Sequence, residues 1–472
     1  MKMDSCTQKL AEFCAGLQWA HVPATIREKI TWCWADTLGI VLGAVGTPEG
    51  EKVLRVLSET YQENRQPLPA PFASSPPPLF ALIHGTMADL WEFADGYSAG
   101  GIHASCTVIP AALAVARDAG STGDLFLTAV LVGYEVANRV ARAMYRPGQL
   151  DPCLATGTAG ALGAAAACAK ILGFNPEQTA QALGLAALLA PLSHKTNLWG
   201  GHPGKPLHAG YGARAGVEAA LLTGRGFGGS PAILEGTGSD DPGFCFLGGE
   251  ADLSLVTLGL GEEYTTSQVY YKPYPVCRHA HGAIDALLEI SRRHKLNAAE
   301  IEAVEVRTTT RAAAFVGHLE TSPASNPIEC QFSLPFLMAV TLMDGKLGLE
   351  QLTSSRIADP AVHDLVRKVR LLGDPSLDPL YPKFRPTQVT VHLKGGIELT
   401  HRVDAPKGDP DAPMRRQELE EKFHSMASRV LPPSQVSHLL NKALGLAQGE
   451  SLSGIFEILS TIAASPTGTT PS

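Results

Sequence analysis

Three polar clusters interrupt an otherwise apolar chain, and their residue types suit acid–base chemistry on a small anionic substrate. The first, Glu92 to His103 (EFADGYSAGGIH), sets the carboxylates Glu92 and Asp95 ahead of a glycine-rich loop that ends in His103. An imidazole with a pKa near 6.5 exchanges a proton close to neutral pH, and a nearby carboxylate orients it or acts as a second acid or base. The plainer alternative makes Asp95 a helix cap and His103 a satisfied core histidine. The second cluster, His202 to His208 (HPGKPLH), places Lys205 just before a run of small residues. A lysine beside a helix N-terminus adds its charge to the positive end of the dipole and receives a substrate carboxylate; the alternative is a solvated lysine. The third, Tyr271 to His281 (YKPYPVCRHAH), packs Lys272, Arg278, His279 and His281 into one turn. Few structural turns need that much potential positive charge. If the three converge, the pocket holds acids, two lysines, an arginine and several histidines, including His208, and suits a small polycarboxylate.

Other chemistries lack their signatures. No HExxH, GxSxG or GxxxxGK[ST] occurs, and GGHPGKP at 200–206 has neither the spacing nor the hydroxyl of a phosphate-binding loop. Gly157, Gly160 and Gly163 sit in an alanine-rich run with no strand before it, which argues against a dinucleotide site. Cys277, His279 and His281 have no second ligand pair at a usual spacing, so no metal is expected.

The elements that must carry these clusters show in the apolar periodicity. Leu10, Phe13, Cys14 and Leu17, then Ile30, Cys33, Trp34, Leu38 and Val41, recur three and four apart, which predicts helices. Helical character continues to about residue 260 and includes two small-residue runs, Gly157 to Ala169 and His208 to Leu222, whose helices are expected at the centre of the domain. After residue 270 the pattern changes. Ile301 to Thr308 alternates, and Thr387 to Leu393, Lys394-Gly395-Gly396 and Ile397 to Val403 read as a β-hairpin. A helix through Ile284, Leu287 and Leu288 lies within this segment. Beyond the proline-rich break Ala405 to Pro413, Leu419, Phe423, Met426 and Val430 restore helical spacing. The expected layout is mostly α with a second α+β domain: residues 1–268 and 406–462 helical, 269–405 α/β, and a flexible tail at 463–472.

Composition excludes several classes of partner. The 472 residues are 45% hydrophobic and 18% charged, below the roughly 25% charged share of an average soluble domain. Such a chain buries a large core. The net charge of −8 and the absence of a basic run make nucleic acid an unexpected partner. The longest uncharged apolar stretch, Ala182 to Ser193, falls short of the roughly 20 residues that span a bilayer, so no membrane span is expected. Nine cysteines, an odd number without a CxxC pair, fit reduced thiols, and no signal peptide is read at the N-terminus; a cytoplasmic protein is expected.

The chain resembles the MmgE/PrpD family, whose members include 2-methylcitrate dehydratases, cis-aconitate decarboxylases and an iminodisuccinate epimerase. The resemblance rests on WADTLGIVLGA at Trp34 to Ala44, the acid-to-histidine segment at Glu92 to His103 with VIPAALAVA behind it, and GKPLHAGYGARAG at Gly204 to Gly216. It extends through AILEGTGS at Ala232 to Ser239, KPYPVCRHAHGAIDAL at Lys272 to Leu287, FSLPFLMAVTLMDG at Phe332 to Gly345 and the acidic helix containing Glu418 to Phe423. It implies a large all-helical domain built from both ends of the chain, a smaller inserted α/β lid domain, an active site in the cleft between them, and a homodimer without metal or organic cofactor. It places Glu92, Asp95, His103, Lys205 and Lys272 as catalytic, and His281 as a histidine of the turn. His318 falls near a tyrosine of some decarboxylases. The chain departs from the family's D-x-D-D-T/Y-H loop at Ala94 and Gly96, and from a histidine of many relatives at Leu154.

The resemblance implies a cofactor-independent lyase, a dehydratase or decarboxylase, acting on a citrate-like polycarboxylic acid. Lys205, Lys272 and Arg278 would stabilise charge building next to a carboxylate, with His103 moving the proton. An epimerase or isomerase that removes and returns a proton beside a carboxylate is the alternative. A non-catalytic carboxylate-binding member is the third reading.

Overall fold

Leu10 and Cys14, and likewise Ile30, Cys33 and Leu38, share helix faces by their spacing, and in the computed structural model all are buried in the helices Cys6–Gly16 and Ala24–Val45. The structure describes residues 5–61, 68, 70–145, 153–196, 201–238, 240–317 and 326–462. The tail expected at 463–472 lies outside them. Helices Pro48–Tyr61, Pro77–Asp89, Ser105–Ala119, Gly123–Met144, Ala155–Ile171, Pro176–Leu189 and Leu207–Thr223 follow in order. The fold is mostly helical with a smaller α/β part, as expected.

The two small-residue runs form the middle of the helical part. Helices Ala155–Ile171 and Leu207–Thr223 pack on each other and on Ser105–Ala119. A β-carbon on Gly212 would lie 2.7 Å from the Gly157 carbonyl oxygen, and one on Gly216 2.6 Å from the Ala165 nitrogen. The backbones touch where side chains would otherwise hold them apart, and close packing of this kind tolerates no added bulk.

Two short strands, β1 (Gly96–Tyr97) and β2 (Val269–Tyr270), pair antiparallel with Gly96 opposite Tyr270. Beyond them lies a four-stranded sheet of β3 (Ile301–Thr308), β4 (Val369–Gly373), β5 (Thr387–Leu393) and β6 (Ile397–Val403), in the order β4-β3-β5-β6. The expected hairpin is β5–β6, closed with Leu393 opposite Ile397; Gly395 and Gly396 turn the chain at φ 89° and 83°, values a side chain disfavours. β3 pairs antiparallel with β5 and parallel with β4, which no local pattern announced. Helix His281–His294 buries Ile284, Leu287 and Ile290 and packs on β5 and β6.

After the sheet, helix Arg416–Ala427 returns to Ala24–Val45. It seats Phe423 over Gly39, whose β-carbon would lie 2.9 Å from the Phe423 ring. Helices Pro433–Gly445 and Leu452–Leu459 follow. Among the described residues no single helix is long and apolar enough to cross a membrane. None of the nine cysteines is joined in a disulfide.

Candidate active site

Each of the three clusters is positioned by a different part of the fold. The first leaves helix Pro77–Asp89 and turns at Glu92, which takes φ +48°, a conformation that non-glycine residues rarely adopt. It then enters β1. Pairing of β1 with β2 lays Glu92 beside Lys272, two residues past Tyr270. Lys422 of helix Arg416–Ala427 fastens the same loop from outside, donating to the Phe93 carbonyl at 2.9 Å and pairing with buried Asp36 at 2.9 Å. The segment leading into β2 is held by Glu135, which accepts from the Thr265 and Thr266 backbone N–H groups and pairs with Arg139 at 3.1 Å. A loop with unusual backbone is thereby fixed on several sides.

The carboxylate of Glu92 lies between two ammonium groups. Lys272 donates to Glu92 Oε2 and to the Glu92 carbonyl, each at 2.8 Å, and Lys205 pairs with Glu92 Oε1 and, at 2.8 Å, with Asp89. All four residues are buried. Burial disfavours charge on Glu92, but Lys205 and Lys272 outweigh it and hold the carboxyl well below the usual range. Burial likewise works against Lys205, and Asp89 with Glu92 overrides it and raises the amine above its ordinary value. Two lysines and two carboxylates form one charge-balanced unit.

His103 is oriented by the first loop. Its ring Nδ1 lies 2.6 Å from the Asp95 backbone carbonyl, which only accepts, so Nδ1 carries the proton and Nε2 keeps its lone pair. Its backbone N–H donates to Thr156 Oγ1 at 3.0 Å. Burial and then Lys272 push its pKa down to about 4, so the ring is neutral at pH 7.

A cavity of about 110 Å³ opens beside these groups; its walls include Glu92, His103, Thr156, Lys205 and His208 from the helical part, and Tyr270, Arg278, His279, Arg311 and Arg385 from beyond β1. Lys272, expected in the site, is not on the cavity wall; its ammonium is taken up by the Glu92 carboxylate and carbonyl. Arg278 pairs with Asp409 at 2.8 Å, donates to the carbonyls of Pro406 and Lys407, and lies over the Tyr270 ring. His208 donates from Nδ1 to the Lys205 carbonyl; burial lowers its pKa.

Two candidates point elsewhere. The Asp95 carboxylate is buried away from the cavity, where Tyr134 donates to it at 2.7 Å, and burial raises its pKa. Asp95 reaches His103 through its main chain. His281 is fully buried outside the cavity: Arg278 donates to its Nδ1 at 3.0 Å and its Nε2 donates to the Val276 carbonyl at 3.1 Å, so it braces Arg278. His318 lies outside the described residues. No group of three or more His, Cys, Asp or Glu among the described residues is arranged to hold a metal ion.

Comparison with known families gives this constellation a context. The MmgE/PrpD N-terminal domain matches residues 8–244 and the MmgE/PrpD C-terminal domain residues 274–446. The chain belongs to the MmgE/PrpD family. It is 24% identical to cis-aconitate decarboxylase of Aspergillus terreus, covering 98% of this chain and 97% of that protein. It is 26% identical to the human cis-aconitate decarboxylase, covering 97% and 95%, and 24% identical to 2-methylcitrate dehydratase of Escherichia coli K12, covering 89% and 90%.

Within this MmgE/PrpD chain, the departures noted in the sequence acquire a spatial meaning. Gly96 leaves room for the Tyr270 hydroxyl, which occupies the space of a side chain at 96. Leu154 is an apolar patch on the cavity wall. Sequence reasoning missed Asp89, Tyr270, Arg311 and Arg385. Asp89 was legible only as an acid three residues before Glu92, at the end of the helix that precedes the first cluster. Arg311 and Arg385 lie far from the clusters in sequence and only the sheet brings them to the cavity.

Proposed function

We propose that this protein is a lyase that works without a cofactor on a small citrate-like polycarboxylic acid, by dehydration or decarboxylation. The observation that carries the reading is the neutral His103, its Nε2 lone pair free, in one cavity with Lys205, Arg278, Arg311 and Arg385. Both reactions pass through charge on a carbon next to a carboxylate. In dehydration, His103 Nε2 takes a proton from that carbon, the electron pair forms the new double bond, and the neighbouring hydroxyl leaves as water with a proton from an acid. In decarboxylation, the C–C bond breaks, CO₂ leaves, and the carbon keeps the pair until it is protonated. Cationic groups on the remaining carboxylate stabilise the enolate-like charge in either case, an effect that is often the largest in catalysis. Tyr270, kept protonated by burial, stands edge-on to the His103 ring at 6.4 Å between centroids and is the acid assigned to that proton. The names of the relatives, decarboxylase and dehydratase, agree with this class of chemistry.

Leu154 on the cavity wall gives no proton, and this favours epimerisation beside a carboxylate as the second reading. Proton NMR in D₂O with citrate, 2-methylcitrate, cis-aconitate, malate and iminodisuccinate separates the two. New vinyl signals or loss of a carboxylate establish the lyase. Deuterium entering next to a carboxylate with an unchanged skeleton establishes the epimerase, and silence across the panel points to an acid outside it or to a non-catalytic carboxylate-binding member.

A further inference from the structure

The charge in the cavity is distributed unevenly. Lys205 and Lys272 are matched by Glu92 and Asp89, so that end presents hydrogen-bond donors but little net charge. Beyond β1 the balance differs. Arg278 lies 2.8 Å and Arg385 3.9 Å from the same oxygen of Asp409, so two guanidinium groups share one carboxylate. Arg311 has no carboxylate within ion-pair range among the described residues.

Both Arg311 and Arg385 lie among aromatic rings. Arg311 lies 5.4 Å from the Tyr145 ring, 5.3 Å from Phe315 and 5.6 Å from Tyr381; Arg385 lies 5.5 Å from Tyr270 and 5.7 Å from Tyr381. Phe315 follows Arg311 by one turn of helix Thr310–Val316, so the two share a face. Contact with aromatic rings consumes none of a guanidinium's N–H donors, a planar fork matched to a carboxylate. Among the described residues the Nε atoms of both arginines are buried without a hydrogen-bond partner, and so is Nδ1 of His279, whose ring packs 5.0 Å from Phe315 and 5.9 Å from Tyr381. Arg385 is only 7% exposed. Buried donors left unpaired cost free energy unless something fills them.

We propose that Arg311, Arg385 and His279 form the principal carboxylate receptor of this cavity, carried by the sheet-bearing part of the chain, while Lys205 receives a second polar end of the substrate. The substrate is then an acid with at least two carboxylates, one gripped by each part of the fold. The inference rests on the polycarboxylate reading above but concerns binding alone.

Isothermal titration of the full-length protein with tricarballylate, a saturated tricarboxylate without a hydroxyl to lose, tests it beside butanoate as a one-carboxylate control. The wild type is expected to bind tricarballylate far more tightly than butanoate. Arg311→Gln is expected to weaken tricarballylate on the order of 10- to 100-fold, the loss typical of a charge-assisted contact, and to narrow the preference over butanoate. Arg311→Lys, which keeps charge but loses the planar fork, is expected to fall between. Arg385 also donates to Ser98 at 2.9 Å, so Arg385→Gln is a secondary variant, read only if its ligand-free melt stays cooperative. Wild-type affinity in Arg311→Gln overturns the receptor and leaves the lyase reading standing. No binding of tricarballylate by the wild type overturns both. Arginine-dependent binding with a silent NMR panel keeps the receptor and points to an acid outside the panel or to a non-catalytic carboxylate-binding member.

Discussion

The ring of Tyr270 fills the space that a side chain on Gly96 would need. A β-carbon at residue 96 would lie 2.6 Å from Tyr270 Cζ and 3.0 Å from His103 Nδ1, so the bare backbone of one residue admits the hydroxyl of the other next to the proposed base. The two residues face each other across the β1–β2 pair. A loop position that in the resembled pattern bears a hydroxyl here receives one from the opposite strand.

Gly96→Ala is accordingly expected to destabilise the protein by about 1–3 kcal/mol, as overpacking does, and to displace His103 along with the Tyr270 ring. Chemical denaturation measures the first effect. In a double-mutant cycle with Tyr270→Ala, the two changes together should cost less than their separate losses added; additive losses would show that the clash is not with Tyr270.

His103→Gln is expected to reduce turnover of an NMR-identified substrate by roughly 10²- to 10⁴-fold, the usual contribution of a placed acid or base. Far-ultraviolet circular dichroism should be unchanged. Turnover within a few-fold of wild type would remove His103 from the mechanism.

Stability should depend on pH through the same ring. With a folded pKa of about 4 against an ordinary 6.5, the unfolded chain binds the extra proton between those values, so His103 makes stability rise with pH across that window and contributes no slope above it. The slope belonging to one proton is about 1.4 kcal/mol per pH unit. Denaturation of wild type and His103→Gln from pH 4 to 7 should give curves that diverge as pH rises. Parallel curves would mean that the ring is not held neutral.

Glu92→Gln leaves Lys205 and Lys272 buried with one carboxylate, Asp89, in place of two. A loss of about 3–5 kcal/mol is expected, as when one partner of a buried ion pair is removed. Combining it with Lys272→Met should recover a large part. If Glu92→Gln is as stable as wild type, the lysines do not depend on this carboxylate.

His281→Leu should act on structure. It strands an Arg278 N–H and the Val276 carbonyl, each costing about 1–3 kcal/mol, and lowers the melting temperature. The pH dependence of kcat is expected to keep its shape, since the ring lies outside the cavity. A pH limb that disappears with His281 would place it in the reaction.

Much of this was legible along the chain because it depends on neighbours in sequence. Alternation and a glycine pair determined the Thr387–Leu393 and Ile397–Val403 hairpin, helical spacing determined Ala24–Val45 and Arg416–Ala427, and three clusters of ionisable residues marked the site. What local order does not encode is direction and partnership. Asp95 and His281 stood beside true cavity residues, yet the Tyr134 hydroxyl and the Arg278 guanidinium, brought by tertiary packing, turned them to other tasks. Arg311 and Arg385 carried no sequence signal: Phe315 and Tyr381 lie close to them in the chain, but Tyr145 and Tyr270, and the cavity itself, come from elements far away. The types of chemistry available were written in composition and spacing; which side chain faces the cavity was decided by long-range pairing and by burial that gives each polar atom a partner or leaves it waiting for one.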